Sequence, residues 1–303
     1  MAGTTQVFKD IYFTAGDGLR LYARHYPART QSARRPVLCL AGLTRNSRDF
    51  DRVAQALSQD PSTSRDVYTL DIRGRGLSEP DPDWRNYAVP IEMQDVIDFM
   101  TMMELHDCGI IGTSRGGLIT MVLAAAQPTR IGAVVLNDIG PVIETDGLVR
   151  IAGYVGRLPL PKSWGEAARV IRDLSKRDFP TMSQADAEAF ARQLFNERNA
   201  RPAPGYDAKL SKCLSVLDGP MPALWPQFEA MKRVPVMVIR GENSDLLTAA
   251  TIEDMRRRHP MFTSHTVPNE GHAPLLWDAP SISAIAQFFA AADSGKRHGA
   301  MAA

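Results

Sequence analysis

The chain has 303 residues, 44% of them hydrophobic and 23% charged, and its 35 Lys+Arg against 34 Asp+Glu leave a formal charge of +1. That length suits one large domain or a core with a substantial insertion, and the composition excludes wholesale disorder. A near-neutral balance gives no electrostatic footprint for nucleic acid or an anionic membrane surface. The longest apolar runs, 131–136 and 236–239, fall far short of the ~20 residues that cross a bilayer. MAGTTQVFKD carries neither the basic segment nor the apolar stretch of a secretory signal. Cys39, Cys108 and Cys213 are widely spaced without a CxxC pair, which argues against a disulfide framework or a cysteine zinc site. The expected setting is the cytoplasm.

Short β-branched runs alternate with longer helical patterns, as in an α/β protein. Extended runs at 6–14 and 20–25 flank Ala15-Gly16-Asp17-Gly18. An Asp-Gly in that position predicts a hairpin, so the sheet should open with an antiparallel edge. Further strands are predicted at 36–41, 65–71, 107–112, 131–136, 234–240 and 262–267. Several of these are almost continuously apolar, the pattern of parallel strands covered on both faces. Helices are predicted at 47–58, 91–104, 115–126, 248–258 and 281–291, the first and the last two with Ser or Thr near their starts, as N-caps require. From about 141 to 231 there is no convincing strand, only helical patterns and proline punctuation. The expected organisation is therefore a core of 1–140 and 232–292, a helical cap of 141–231, and a small polar tail, 293–303, that should be disordered.

The sharpest local signal is Gly112-Thr113-Ser114-Arg115-Gly116, directly after a predicted buried strand and before a predicted helix. A serine on so tight a turn has strained backbone angles and crowded neighbours, which the glycines relieve. Its hydroxyl is lifted above the carboxyl end of the sheet, beside helix amides that favour negative charge. A serine hydroxyl needs a base, and the base needs an orienting group. Of six histidines, His272 alone lies in a turn-rich loop at that end of the sheet, after the last strand. For the acid, Asp245 in Gly241-Glu242-Asn243-Ser244-Asp245 is the first choice. Glu242 and Asp138, the latter just past the preceding strand, are its rivals.

Together GTSRGG at 112–117, RGENSD at 240–245 and NEGHAPLL at 269–276 resemble the α/β-hydrolase fold superfamily. Asp71-Ile72-Arg73-Gly74-Arg75-Gly76-Leu77-Ser78 resembles that superfamily's D-x-R-G-x-G-x-S segment. The resemblance covers about residues 7–291 and implies a mostly parallel eight-stranded sheet with helices on both faces and a helical cap insertion. It implies a Ser114–Asp245–His272 triad and an oxyanion hole made by two backbone N–H groups. One is Arg115, after the nucleophile. The other is Leu43, in Leu40-Ala41-Gly42-Leu43-Thr44, which resembles the family's H-G-x segment. Two departures stand out: Ala41 and Arg75 occupy positions where histidine is usual, so whatever holds the oxyanion loop must come from elsewhere.

Ser114 at the elbow, in place of the aspartate of related dehalogenases, points to acyl chemistry. The expected function is a serine hydrolase cleaving a carboxylic ester or lactone of a small to medium, largely apolar substrate through an acyl-enzyme. The alternatives are a C–C hydrolase of a ring-cleavage diketone, or a hydrolase-like small-molecule receptor with little turnover. No metal and no organic cofactor are required. Leu148, Ile151, Tyr154, Val155, Leu158, Leu160, Phe179, Phe195, Leu214 and Trp225 make the cap apolar, and Trp164 is a candidate substrate contact. Arg45, Arg115, Arg150 and Arg157 lie near the expected site, where a guanidinium fork suits a substrate carboxylate; Arg45 is the leading candidate. The expected partner is a small molecule, without nucleic acid or membrane insertion, and a homodimer through an apolar outer cap face is left open.

Overall fold

A computed structural model describes residues 7–30, 34–157, 160–214 and 222–295. Leu158 of the expected cap lining and the tail beyond 295 lie outside the described residues. The strands are β1 (Lys9–Thr14), β2 (Arg20–Tyr26), β3 (Val37–Leu40), β4 (Val67–Asp71), β5 (Cys108–Thr113), β6 (Ile131–Asn137), β7 (Asn196–Arg198), β8 (Arg201–Ala203), β9 (Val236–Gly241) and β10 (Phe262–Val267). The helices are α1 (Asp51–Gln59), α2 (Val89–Met102), α3 (Arg115–Ala126), α4 (Thr145–Tyr154), α5 (Trp164–Ser175), α6 (Gln184–Leu194), α7 (Trp225–Glu229), α8 (Ala249–Arg258) and α9 (Ala279–Asp293).

Eight strands form one sheet in the order β1-β2-β4-β3-β5-β6-β9-β10. β2 pairs antiparallel with both β1 and β4, and every other pairing is parallel. The antiparallel edge is the one that the Asp17-Gly18 turn predicts. Every residue of β5 and β6 is buried, and adjacent residues serve opposite faces. Ile110 and Val134 join the cluster that includes α2, α3 and α8, while Ile111 and Val135 join the one that includes α1 and α9. That period of two explains why these strands read as unbroken apolar runs. Each fully buried Val, Leu or Ile contributes about 1.5–3 kcal/mol. Helix starts follow their caps. α9 begins before its predicted 281 because the Asp278 side chain accepts from Ser281 N at 2.8 Å.

The stretch between β6 and β9 contains α4 to α7 and a two-stranded hairpin, β7–β8. The sequence pattern predicts no strand there. Asn199 and Ala200 at its turn have φ 52° and 59°, the left-handed pair that a tight hairpin requires. Asn-Ala lacks the glycine that would have announced it. The two long helices of this stretch are well started: Ser163 caps α5, and Ser183 with Asp186 forms a capping box on α6. Ala167, Ile171, Phe179, Phe190 and Ala191 pack together and receive Leu275 from the loop after β10. The segment is thereby anchored beside the carboxyl ends of the parallel strands. No helix among the described residues is long and apolar enough to cross a membrane.

Candidate active site

Ser114 occupies the β5–α3 turn with φ 50° and ψ −114°, a conformation that costs a non-glycine residue of order 1–3 kcal/mol. Close packing enforces it. A methyl group on Gly116 would lie 2.1 Å from the Leu40 carbonyl oxygen, one on Gly112 2.7 Å from the Gly116 oxygen, and one on Gly117 2.2 Å from Ile139 Cγ2. These glycines supply space. The gap at Gly116 lets the end of β3 meet the start of α3, so the loop carrying Leu43 comes against the elbow. Ser114 N donates to the Asn137 carbonyl at 3.0 Å, tying the turn to the end of β6.

His272 Nε2 lies 2.8 Å from Ser114 Oγ, and its Nδ1 lies 2.8 Å from Asp138 Oδ2. The carboxylate on the imidazole is thus Asp138, not the expected Asp245, and the reason lies in the sheet. β6 is the immediate neighbour of β5, whereas β9 is one strand further out. Asp138 bends the chain just past β6 with φ 53°. It is fully buried, and the β9 loop receives it: Gly241 N donates to Oδ1 at 2.9 Å and Ser244 Oγ to Oδ2 at 2.6 Å. Asp245 instead faces α4. It accepts from Arg150 Nε at 2.7 Å and Nη2 at 2.9 Å, with Arg177 Nη2 at 3.1 Å. The Arg150 hydrogen bond holds its carboxyl below the ordinary 3.8. Glu242, the other rival, accepts from Asn269 N at 2.9 Å and so braces the base of the histidine loop.

The two positions that depart from the family pattern are explained by one buried cluster. Arg75, 2% exposed, donates from Nε to the Leu43 carbonyl at 2.8 Å and from Nη1 to the Arg73 carbonyl at 2.6 Å. With Ala41 unable to hold the loop, Arg75 does so. Its Nη1 also pairs at 2.7 Å with Glu92 Oε1, and Glu92 Oε2 accepts from Arg115 Nε at 2.6 Å. Burial works to raise the Glu92 carboxyl, but Arg115 and Arg75 outweigh it and leave the group below its ordinary 4.5. Glu92 therefore bridges the residue after Ser114 to the arginine that grips the Leu43 loop. Neither Glu92 nor Asn137 is conspicuous in sequence. Asn137 Nδ2 donates to Thr113 Oγ1 at 3.1 Å and to the Pro274 carbonyl at 2.9 Å, which couples the residues flanking Ser114 and His272.

A cavity of about 440 Å³ opens over Ser114 and His272. Leu43, Thr44 and Arg45 line it from the core, and Ile151, Tyr154, Leu160, Phe179, Phe190 and Phe195 from the insertion. Leu148, Val155, Leu214 and Trp225 pack instead against the main core cluster. Trp164 is not in the cavity wall: its ring stacks with the Arg192 guanidinium at 4.3 Å and packs on the insertion's own core. Arg150, also in the cavity wall, donates from each of its side-chain nitrogens, Nη1 reaching Asp178 Oδ2 at 2.9 Å in addition to the grip on Asp245. Asp178 in turn accepts at its carbonyl from Gly271 N at 2.6 Å, next to His272. Among the described residues, no group of three or more His, Cys, Asp or Glu could hold a metal ion.

The family model described as alpha/beta hydrolase fold matches residues 35–279. The 3-hydroxybutyrate-oligomer hydrolase of Cupriavidus necator is 32% identical over 266 residues, covering 85% of this chain and 89% of that protein. Esterase YbfF of Escherichia coli is 27% identical, covering 84% and 92%. Among solved structures, an alpha/beta hydrolase from Novosphingobium aromaticivorans superposes with a TM-score of 0.87 at 38% identity, covering 94% of this chain and 99% of that one.

Proposed function

The chain belongs to the α/β-hydrolase fold family, and from its site we propose that it is a serine ester hydrolase working through an acyl-enzyme. The observation that carries this reading is the continuous Ser114–His272–Asp138 chain, at 2.8 Å for each contact, at the floor of an apolar cavity. Esterase and oligomer-hydrolase relatives support ester cleavage at the family level.

In this mechanism Ser114 Oγ attacks the ester carbonyl while its proton passes to His272 Nε2. Asp138 holds Nδ1–H, fixes the tautomer and stabilises the imidazolium. The Leu43 and Arg115 amides receive the developing oxyanion, a contribution of about 3–4 kcal/mol per donor. Collapse breaks the C–O bond, and His272 returns the proton to the departing alcohol. Water then repeats the sequence in reverse: His272 takes its proton, the hydroxyl bonds to the acyl carbon, and Ser114 regains its hydrogen as the acid leaves. The 141–231 segment acts as the cap, and its apolar wall suits short acyl and alcohol groups. The C. necator relative directs the substrate choice to esters between hydroxy acid units, in particular short 3-hydroxyacid oligomers.

A fluorophosphonate probe with peptide mapping, run beside turnover of p-nitrophenyl butanoate, tests the chemistry. Labelling at Ser114, with labelling and turnover both lost in Ser114→Ala, is the expected result. A folded wild-type protein that neither labels nor turns over would overturn it.

A further inference from the structure

The charged groups around the cavity differ in how completely they are satisfied. Arg150 spends its Nε and both Nη atoms on Asp245 and Asp178, and Arg177, largely exposed, meets Asp245 through Nη2. Arg45, next to the oxyanion loop, has neither Nη atom on a carboxylate among the described residues. Its Nε faces the buried Asp49 as an ion pair, and its guanidinium lies over the Phe190 ring at 5.0 Å. Among the described residues no hydrogen bond accepts from either of its Nη atoms, and neither counts among the buried polar atoms left without a partner. Those atoms are therefore not sealed into the core, and Arg45 lines the cavity. The arm is also close to the chemistry. A methyl placed on Gly42 would lie 3.7 Å from Ser114 Cβ and 3.8 Å from Arg45 Cδ, so little more than a methyl's width separates the arginine stem from the serine.

We propose that the Nη edge of Arg45 is a carboxylate subsite that receives the free acid end of the alcohol portion of the ester. The inference rests on the ester-hydrolase reading above and extends it to substrate class. In an ester of a 3-hydroxyacid, the carboxylate stands four bonds from the attacked carbonyl carbon, a separation of about 5 Å in extended geometry. Ser114 and the Arg45 stem can be spanned by such a unit. Asp49 orients the guanidinium from the protein side and Phe190 flanks its face, leaving two parallel N–H donors to form the fork that a carboxylate matches. The subsite would select the terminal ester bond of a short oligomer, where the acid is free, over internal bonds and over neutral esters.

The test compares kcat/KM for 3-(butanoyloxy)butanoate and for its methyl ester, in wild type and in Arg45→Gln. The ratio of the two rates cancels any difference in folded fraction between proteins. Wild type is expected to favour the anion, and the variant to lower the ratio about 10- to 100-fold, the range of a charge-assisted hydrogen bond, mainly through KM. Arg45→Lys should recover part of it. The double variant Arg45→Gln with Asp49→Asn removes the buried counter-charge and should show the same collapsed ratio. A wild-type ratio at or below one, or a ratio unmoved in Arg45→Gln, would overturn the subsite while leaving ester hydrolysis standing. Failure of folded wild type on p-nitrophenyl butanoate would instead remove the hydrolase reading, and the subsite with it.

Discussion

Replacing Asp138 by Asn, with Asp245→Asn alongside, separates the two acids that the sequence offers. In the wild type, Asp138 accepts from Gly241 N at 2.9 Å, from Ser244 Oγ at 2.6 Å and from His272 Nδ1 at 2.8 Å. In Asp138→Asn the new amide can keep its oxygen toward the Gly241 N–H only by turning its NH₂ toward Ser244 and His272. Ser244 Oγ, which already accepts from Leu246 N at 3.3 Å and Leu247 N at 3.2 Å, must give up one of these to accept the new N–H. His272 must then accept at Nδ1, which puts its proton on Nε2, facing Ser114, and removes the base. A wrong tautomer costs about 10⁴-fold in kcat, equivalent to about 5.5 kcal/mol at 1.36 kcal/mol per decade. Asp245→Asn leaves the histidine untouched. It weakens the Arg150 contact by about 1.5–3 kcal/mol, the worth of a hydrogen bond to a charged group, while Asp178 still holds Arg150. Its effect on kcat should stay within about tenfold, because it loosens the segment between β6 and β9 and spares the proton path. The assay is kcat with p-nitrophenyl butanoate and the fluorophosphonate labelling rate, with circular dichroism to confirm folding. A fall of 10³-fold or more in Asp245→Asn, with Asp138→Asn near wild type, would refute the assignment.

Glu92→Gln keeps the shape but leaves Arg75 and Arg115 without their shared carboxylate, a loss of about 3–5 kcal/mol for a broken buried pair. Because those arginines position the Leu43 and Arg115 segments, kcat should fall about 10- to 100-fold with KM little changed; an unchanged kcat in a folded variant would refute the positioning role. Gly116→Ala puts a methyl 2.1 Å from the Leu40 carbonyl, so Tm should drop and Ser114 labelling should slow further than stability alone explains. Labelling at the wild-type rate would show that the close approach of β3 and α3 is dispensable. The Arg150 hydrogen bond lowers the folded pKa of Asp245 from 3.8. Its stabilisation is therefore complete above that value and is lost as pH falls through the lower folded pKa. The difference in unfolding free energy between wild type and Asp245→Asn should be flat above about pH 5 and shrink below about pH 4, as measured by denaturant titrations across that range; a difference growing toward acid would contradict the sign.

Much of this protein is written locally. The apolar runs that became β5 and β6, the Asp17-Gly18 hairpin and the glycine pattern around Ser114 each show in a few consecutive residues, although the space at Gly116 and Gly117 is filled by Leu40 and Ile139 from elsewhere in the chain. Burial on both faces and tight turns leave marks at that range. His272 too was legible, because a loop rich in turn residues after the last strand has only one end of the sheet to reach. The acid was not. Asp138 and Asp245 both follow parallel strands by a residue or a few, and nothing in either neighbourhood separates them. The choice was made by strand order, which puts β6 beside β5, and by Arg150, which arrives from the insertion to claim Asp245. The same holds for Arg75, whose partners Leu43 and Glu92, the latter shared with Arg115, meet only when two loops and two helices converge, and for Trp164, drawn from the cavity wall to the Arg192 guanidinium and the insertion's own core. Turn and burial preferences are properties of short stretches. Which of several charged side chains pairs with which depends on distances that exist only once the sheet has ordered its strands.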